Sequence, residues 1–273
     1  MMKMKKDNSA ATLHSLDKMK KTIFITGATA GIGRSTAQIF AKNSYNLILS
    51  GRRAERLEEL KKELSSEQCK VLTLNFDVRD LEQVQSAVDS IDKNDFPTID
   101  ILVNNAGLAS GLDRIDEGKY DDWNRMIDTN IKGLLHVTRE VIPILKKQGH
   151  GHIINLGSTA GKDVYDKGNV YCATKHAVGA LNTAMRLELL EYGIKVTAVN
   201  PGAVETEFSI VRHHGDEEKA AKNYQGYDPL QAEDVANTIF YCANLPKHVC
   251  INDLTLTCLT QANAHYKILK KVY

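Results

Sequence analysis

Short apolar segments rich in β-branched residues alternate along the chain with longer segments whose apolar residues recur at helical spacing. The short segments are typical of strands buried on both faces, and the longer ones of amphipathic helices. The pattern predicts strands at residues 22–26, 46–50, 71–76, 101–104, 152–156, 195–199 and 254–256. It predicts helices at residues 32–42, 54–64, 81–91, 120–147, 170–192 and 232–244.

This regular alternation predicts the fold class. Parallel strands joined by right-handed helical crossovers form one sheet with helices on both faces. We therefore expect an α/β fold with a single doubly wound, parallel, seven-stranded sheet. The 273 residues contain no internal repeat and no Pro/Gly-rich linker, so we expect one domain over residues 20–273, preceded by a flexible extension over residues 1–19.

Composition narrows the range of partners. The 35 Lys and Arg residues nearly balance the 34 Asp and Glu residues, a net charge of +1, whereas nucleic-acid binding needs a basic excess. No apolar run reaches the roughly 18 residues of a membrane span. Five cysteines without a C-x-x-C pair argue against a disulfide framework and favour the cytoplasm. We expect a small-molecule ligand, no nucleic acid, no membrane contact and no metal.

Residues 202–230 are the one long stretch that reads as irregular. Such a stretch in a compact domain is usually either a disordered surface loop or an active-site lid. This one follows the sixth predicted strand, at the sheet edge where ligands bind open α/β folds. We therefore favour a substrate lid.

The first predicted strand runs into a glycine-rich turn and then into a helix. A phosphate-binding turn needs glycine where the chain bends sharply and where backbone approaches the phosphates, followed by the free N–H groups of a helix. The spacing G-x-x-x-G-x-G meets these conditions. The residues of the predicted turn are Gly27, Ala28, Thr29, Ala30, Gly31, Ile32 and Gly33.

Arg52 and Arg53 follow the second strand, where an NAD-binding site would place an acidic residue for the ribose 2′-hydroxyl. Guanidinium groups are suited to a 2′-phosphate instead, so we predict NADP(H) rather than NAD(H). The alternative interpretation is that both arginines only begin the charged helix at residues 54–64.

Further candidates follow the third and fourth strands. Asp77 and Val78 come after the third strand, where the carboxylate can hold the adenine amino group. Small residues after the fourth strand allow the chain to pass close to the cofactor. These residues are Asn104, Asn105, Ala106 and Gly107.

Ser158 closes the fifth strand, and Tyr171 and Lys175 lie four residues apart in a predicted helix. Positions i and i+4 share one helix face, so phenol and ammonium can enter one site. A free phenol titrates near 10, and a nearby ammonium and an oxidised nicotinamide both favour the phenolate that alcohol oxidation needs. Ser158 would hold the substrate oxygen, and Asn130 would hold a water linking Lys175 to solvent.

The ordered set of motifs resembles the short-chain dehydrogenase/reductase family over residues 21–262. The set consists of T-G-x-x-x-G-x-G at 26–33, N-N-A-G at 104–107, Asn130, Ser158, Y-x-x-x-K at 171–175, and Pro201 with Gly202. The resemblance implies a Rossmann fold, a Ser–Tyr–Lys centre supported by Asn130, no metal requirement and a homotetramer. It further implies cofactor contacts after the sixth strand, from Pro201, Gly202, Val204 and Thr206.

A narrower resemblance concerns the substrate. The segments at 99–109, 151–161, 168–171, 206–212 and 245–252 are similar to those of NADP-dependent 3-hydroxy acid dehydrogenases, which act on serine, allo-threonine and 3-hydroxypropionate-like acids. A 3-hydroxy acid needs a cation for its carboxylate. Arg212 is our first candidate and Lys162 the second. Alternatively, Arg212 pairs with Glu205, Glu207 or Asp216.

Three functions remain open from the sequence. The first is oxidation of a small 3-hydroxy acid, and the second is the same chemistry on another ketone or alcohol, such as a 3-oxoacyl thioester or a sugar. The third is an NADPH-binding sensor without turnover, which the intact Ser158, Tyr171 and Lys175 disfavour.

Overall fold

The computed structural model describes residues 20–270. The extension expected over residues 1–19 therefore lies outside the described residues, as do residues 271–273. The strands are β1 Thr22–Ile25, β2 Asn46–Gly51, β3 Val71–Asn75, β4 Ile101–Asn104, β5 Gly151–Leu156, β6 Ile194–Pro201, β7 Val204–Glu205, β8 Leu230–Gln231 and β9 Asp253–Leu256. The helices are α1 Gly31–Lys42, α2 Ala54–Leu64, α3 Leu81–Asp89, α4 Tyr120–Ile127, α5 Leu134–Gln148, α6 Asn169–Leu189, α7 Phe208–Arg212, α8 Glu217–Lys222 and α9 Ala232–Ala243.

Seven strands form one parallel sheet in the order β3-β2-β1-β4-β5-β6-β9. The order reverses between β1 and β4, which is the point where ligands bind folds of this type. The predicted α/β class, the strand number and the parallel arrangement are confirmed. The predicted element ends are mostly within one or two residues of the observed ones.

Each face of the sheet has its own apolar core. Helices α3, α5 and α6 cover one face, and α1, α2 and α9 cover the other. Alternate residues of one strand serve opposite cores, as Ile23 and Phe24 do in β1. Complete burial of such a side chain stabilises the fold by about 1.5–3 kcal/mol. This double burial explains why the strands are apolar at almost every position.

Two elements differ from the sequence prediction. The helix expected over residues 120–147 is divided by a π-helical segment, Asp128–Gly133, which joins α4 to α5. Residues 202–230 are not irregular, because they contain β7, α7, α8 and the start of β8. Helices this short provide too few positions for a 3.6-residue period to be visible in the sequence.

A chain of buried amides joins the centre of the sheet to the helices behind it. Asn104 of β4 donates to the Thr138 hydroxyl at 2.8 Å and to Asn155 of β5 at 2.9 Å. Asn155 in turn donates to Asn182 of α6 at 3.0 Å. Because a buried amide without a partner costs about 1–3 kcal/mol, this chain fixes the register of α6 against β5.

His152 of β5 is buried, and its Nε2 lies 2.7 Å from the Thr197 hydroxyl oxygen. Burial lowers its pKa to about 3, and the ammonium of Lys195 acts in the same direction. The folded chain therefore keeps this imidazole neutral at pH values where the unfolded chain protonates it.

We expect stability to fall as the pH drops below about 6.5, because the unfolded state then binds a proton that the folded state excludes down to about pH 3. Between pH 7.5 and pH 5 this one group should remove about 2 kcal/mol of unfolding free energy. The free energy of unfolding of His152→Gln, measured with denaturant at both pH values, should fall by about 2 kcal/mol less than that of the wild type. The same substitution at the exposed His248 is the control, and an equal loss in wild type and His152→Gln would contradict the assignment.

Candidate active site

A cleft of about 330 Å³ opens along the carboxyl ends of the central strands. Its walls come from the turn after β1, the ends of β2 to β6, helix α6 and the start of α7. Most of the predicted cofactor residues line it: Gly27, Thr29, Ala30, Gly31, Ile32, Arg52, Arg53, Asp77, Val78, Asn105, Ala106, Gly107, Tyr171, Lys175, Pro201, Gly202, Val204 and Thr206.

Three predicted cofactor residues lie behind the wall of the cleft. Ala28 is fully buried, and its N–H donates to the Ser50 carbonyl at 2.9 Å. A side chain on Gly33 would come within 2.4 Å of the Gly27 carbonyl oxygen, so this glycine serves helix packing. Asn104 belongs to the amide chain between β4 and β5. These three residues do not line the cleft, and each supports residues that do.

The turn after β1 has the form that a phosphate needs. Gly27 and Gly31 have φ angles of 67° and 48°, which L side chains rarely adopt. The Thr26 hydroxyl accepts the N–H groups of Asn105 and Ala106 at 3.0 Å, and so ties the turn to the end of β4. The first turn of α1 carries no acidic side chain, so its N–H groups are available to an anion. The residues present therefore fit a dinucleotide.

Arg52 and Arg53 line the cleft between the end of β2 and the start of α2. Arg53 donates through Nε and Nη2 to the Thr29 hydroxyl, at 3.2 and 2.9 Å, and pairs through Nη1 with Glu207 at 2.8 Å. Arg52 lies 3.8 Å from the carboxylate of Asp77. Asp77 is also held by Arg79, so its carboxylate is already engaged by cations. Both arginines line the cleft, which favours the phosphate interpretation over a purely solvated helix start.

Ser158, Tyr171 and Lys175 meet in the middle of the cleft, as predicted. Ser158 caps a single 3₁₀ turn, and its hydroxyl oxygen accepts the Ala160 N–H at 3.1 Å. Tyr171 and Lys175 are one turn apart on α6, and the Lys175 ammonium donates to the Leu156 carbonyl at 2.8 Å. The end of β5 thus holds both the serine and the lysine in place.

Burial dominates the titration of both catalytic candidates. It lowers the pKa of Lys175 to about 8. It also raises the pKa of Tyr171, with Tyr165 acting in the same direction, whereas the Arg212 guanidinium and the Ser158 hydroxyl lower it. Lys175 was expected to be the main neighbouring cation. Its nitrogen lies 6.0 Å from the centre of the Tyr171 ring, however, and the Arg212 guanidinium carbon lies 4.9 Å away.

Asn130 lies in the π-helical segment, and its side chain makes three hydrogen bonds. The amide accepts the Leu108 N–H at 2.9 Å, donates to the Leu108 carbonyl at 2.8 Å and donates to the Thr174 hydroxyl at 3.0 Å. It therefore fixes the segment after β4 against α6. The side-chain oxygen accepts one hydrogen bond among the described residues and keeps a second lone pair, so the water expected beside Lys175 stays a prediction.

Arg212 ends α7 in a small pocket that adjoins the cleft at Tyr171. Its Nη2 donates to the Tyr165 hydroxyl at 2.6 Å, and its guanidinium faces the rings of Tyr171 and Phe208. Its Nε is buried and has no partner among the described residues. The guanidinium therefore keeps a donor for an anion beside Tyr171.

The pairings considered for Arg212 do not form. Glu207 pairs with Arg53 and Arg56, and Asp216 pairs with Lys219. The second candidate anchor, Lys162, lines neither the cleft nor the pocket of Arg212, and its ammonium pairs with Asp253 of the edge strand β9 at 2.6 Å. That partner lies 91 residues away along the chain, so sequence proximity could not reveal it.

Sequence reasoning missed several polar residues around the site. Asp122 is buried at the pocket of Arg212, where it accepts the Ser110 hydroxyl at 2.5 Å. Gln261 accepts the Ala203 N–H at 2.8 Å and so holds the segment that follows β6. Asp122 is an acidic residue in the first turn of an amphipathic helix, which is only a weak indication that a residue belongs to a site. Gln261 had no such indication, because its partner is distant in sequence.

Residues 20–270 contain no group of three or more His, Cys, Asp or Glu side chains arranged to hold a metal ion. None of the helices in that range combines the length and the apolar character that crossing a membrane requires.

Comparison with known proteins identifies the family. The sequence pattern of the short chain dehydrogenase family matches residues 21–216. An NADP-dependent 3-hydroxy acid dehydrogenase of Schizosaccharomyces pombe is 42% identical to this chain, and the match covers 92% of this chain and 97% of the relative. A sulfoacetaldehyde reductase of Chromohalobacter salexigens is 46% identical over 89% and 96% of the two chains.

A solved structure gives the same result. The solved structure is the closed form of a serine dehydrogenase complexed with NADP+, and its sequence is 42% identical to this chain. The match covers 90% of this chain and 98% of the serine dehydrogenase, with a TM-score of 0.85. These relatives are consistent with the paired arginines at the end of β2, which predicted NADP(H). The chain therefore belongs to the short-chain dehydrogenase/reductase family and is an NADP(H)-dependent oxidoreductase that acts on alcohol groups.

Proposed function

We propose that this enzyme transfers hydride between NADP(H) and a small 3-hydroxy acid of the serine, allo-threonine or 3-hydroxypropionate type. The observation that carries the proposal is Arg212, whose Nε is buried without a partner beside the ring of Tyr171. A buried cation with a free donor is suited to an anionic substrate group. In a 3-hydroxy acid the carboxylate is two bonds from the carbon that reacts, which matches an anchor next to the acid/base residue.

Within this proposal the chain binds the cofactor along the carboxyl ends of β1 to β6. The N–H groups of α1 hold the pyrophosphate, Arg52 and Arg53 the 2′-phosphate, and the Pro201–Gly202 segment the nicotinamide. Bound NADP+ supplies the hydride acceptor and a positively charged ring that favours the phenolate of Tyr171.

Ser158 donates a hydrogen bond to the substrate oxygen and orients it toward Tyr171. The phenolate of Tyr171 removes the hydroxyl proton during oxidation, and the phenol returns it during reduction. Lys175 lies on the same helix face and keeps a positive charge near the phenol. Arg212 contributes a second positive charge, so anchor and activating cation would be the same residue.

The segment over residues 202–230 would form the substrate lid. It carries Arg212 and Phe208, whose ring packs edge to face against Tyr171 with 5.6 Å between the ring centres. Closing an apolar ring over the reacting atoms removes water and strengthens the electrostatic effect of Arg212. Because Arg212 is part of this lid, binding of the substrate carboxylate to Arg212 would favour the closed lid.

A second candidate substrate is a small aldehyde that carries a sulfonate. The sulfoacetaldehyde reductase relative at 46% identity favours it, and a sulfonate is an anion at the same distance from the reacting carbon. Arg212 would serve this substrate equally well. Measuring turnover on both anions separates the two candidates.

We further propose a cytoplasmic homotetramer. All five cysteines are free thiols, which fits a reducing compartment. Large apolar side chains are exposed at the end of α6 and on α9 with the segment after β9, a feature that favours subunit contacts. They are Leu187, Leu190, Tyr241, Leu259 and Leu269.

Replacing Tyr171 with Phe should lower kcat about 10²- to 10⁴-fold, because the acid/base group is lost. NADPH affinity, measured by fluorescence titration, should stay within about threefold, since phosphate contacts dominate cofactor binding. Tyr120→Phe removes the same oxygen from an exposed ring and should leave kcat unchanged. Wild-type turnover by Tyr171→Phe would refute the mechanism.

The double variant Arg52→Ala/Arg53→Ala should raise the KM for NADPH about tenfold or more, because hydrogen bonds to a charged phosphate are each worth about 1.5–3 kcal/mol. The KM for NADH should change less than about twofold, since NADH lacks the phosphate. Arg34→Gln, which removes an arginine that pairs with Glu63, is the control. Equal effects on both cofactors would exclude the phosphate role.

Arg212→Met should raise the KM for 3-hydroxypropionate and serine at least about tenfold, because a charge-assisted contact is lost. The KM for a neutral alcohol of similar size should change less than about threefold, whereas kcat should fall on both kinds of substrate because the positive charge beside Tyr171 is lost. The matched control is Arg114→Met, which removes an exposed arginine. An unchanged preference for acids over neutral alcohols would rule out the anchor.

A further inference from the structure

Glu207 connects the two ends of the cleft. It immediately precedes α7, and its two carboxylate oxygens pair with Arg53 at 2.8 Å and with Arg56 at 2.7 Å. Partial burial acts to raise the pKa of this carboxyl, but hydrogen bonds from the two arginines bring it below its usual range. The start of the lid is thus held by ion pairs to the start of α2.

The guanidinium of Arg53 contacts two kinds of partner through different nitrogen atoms. Its Nη1 faces the carboxylate of Glu207, whereas its Nε and Nη2 both face the neutral hydroxyl of Thr29. The Nε–Nη2 edge is the edge that binds a phosphate in a bidentate manner. A phosphate can take this edge from a hydroxyl, which is the weaker acceptor, while Nη1 keeps its contact with Glu207.

Helix α7 links Glu207 to the substrate end. It contains only five residues, Phe208–Arg212, so Glu207 at its start and Arg212 at its end move together. Thr206, just before Glu207, packs against the glycine turn, because a side chain on Gly31 would meet its methyl group at 3.1 Å. The position of Glu207 therefore determines how Arg212 and Phe208 are presented to Tyr171.

We propose that Glu207 couples recognition of the cofactor 2′-phosphate to closure of the lid that carries Arg212. This inference rests on the proposed roles of Arg53 and Arg212. A 2′-phosphate on the Nε–Nη2 edge restrains the Arg53 guanidinium, and the restrained guanidinium holds Glu207 and α7 in the closed position. NADP(H) then promotes lid closure more than NAD(H) does, although the phosphate is at the far end of the cofactor from the substrate.

The ion pairs limit the size of the effect. All three side chains are between 42% and 44% exposed, and solvent weakens ion pairs of this kind. Two such pairs on one carboxylate correspond to a change of roughly two- to thirtyfold in the ratio of closed to open lid, and we expect a value near the lower end. Arg56 contacts Glu207 but does not line the cleft, so it transmits the coupling without touching the phosphate.

Amide hydrogen exchange of the full-length enzyme tests the coupling without any substrate. With each cofactor at saturation, the wild-type amides of residues 206–213 should exchange about threefold more slowly with NADP+ than with NAD+. Glu207→Gln should remove this difference, and Arg56→Gln should reduce it. Glu205→Gln neutralises a neighbouring carboxylate whose contact is Gln231 rather than arginine, and should preserve it.

Equal exchange with both cofactors in the wild type, or an undiminished difference in Glu207→Gln, would overturn the proposal. Because exchange needs no turnover, the test remains valid if 3-hydroxy acids are not the substrates. Failure of the substrate assignment would appear only in activity. Failure of the Arg53 assignment would be recognised by an unchanged NADPH affinity in the arginine variants, whereas failure of the coupling alone would leave the loss of NADPH affinity in those variants intact.

A kinetic measurement gives a second readout. In the wild type the KM for the hydroxy acid should be about threefold lower with NADP+ than with NAD+, because the closed lid presents Arg212. In Glu207→Gln the two KM values should agree within about 1.5-fold. A persistent difference in KM would show that the phosphate acts by another route.

Discussion

The burial of the Lys175 ammonium is the constraint on which the site depends. A buried cation requires a compensating acceptor, and the Leu156 carbonyl at the end of β5 provides it at 2.8 Å. This contact sets the distance between helix α6 and the sheet, and therefore the position of Tyr171 one turn earlier. Gly161 allows the approach, since a side chain there would lie 2.6 Å from the Lys175 carbonyl oxygen.

Much of the fold was predictable because its signals are local. Strands buried on both faces are apolar throughout, and the glycine turn, Ser158, Tyr171 and Lys175 each lie in a short motif next to a strand end. Strand ends converge at one edge of a parallel sheet, so motif order was enough to place these residues together. The same logic found the paired arginines after β2.

What the sequence could not predict depends on contacts between distant segments. Asn104 sits in the N-N-A-G motif, yet its amide points into the core because Asn155 and Thr138 satisfy it there. Lys162 looked available until the fold brought Asp253 beside it. The sequence also left the partner of Arg212 undecided. The structure shows that two acidic residues near it in sequence, Glu207 and Asp216, pair with other cations.

The segment after β6 is completed late in the chain. The Ala203 N–H finds its acceptor in Gln261, which is 58 residues further on, and Gln261 is anchored in turn to the carbonyl of Asn263. On the ribosome, every strand of the nucleotide half emerges before this acceptor does. A nascent chain can therefore build the glycine turn after β1 early, but the wall of the cleft after β6 is finished only when the final strand and the residues after it have been synthesised.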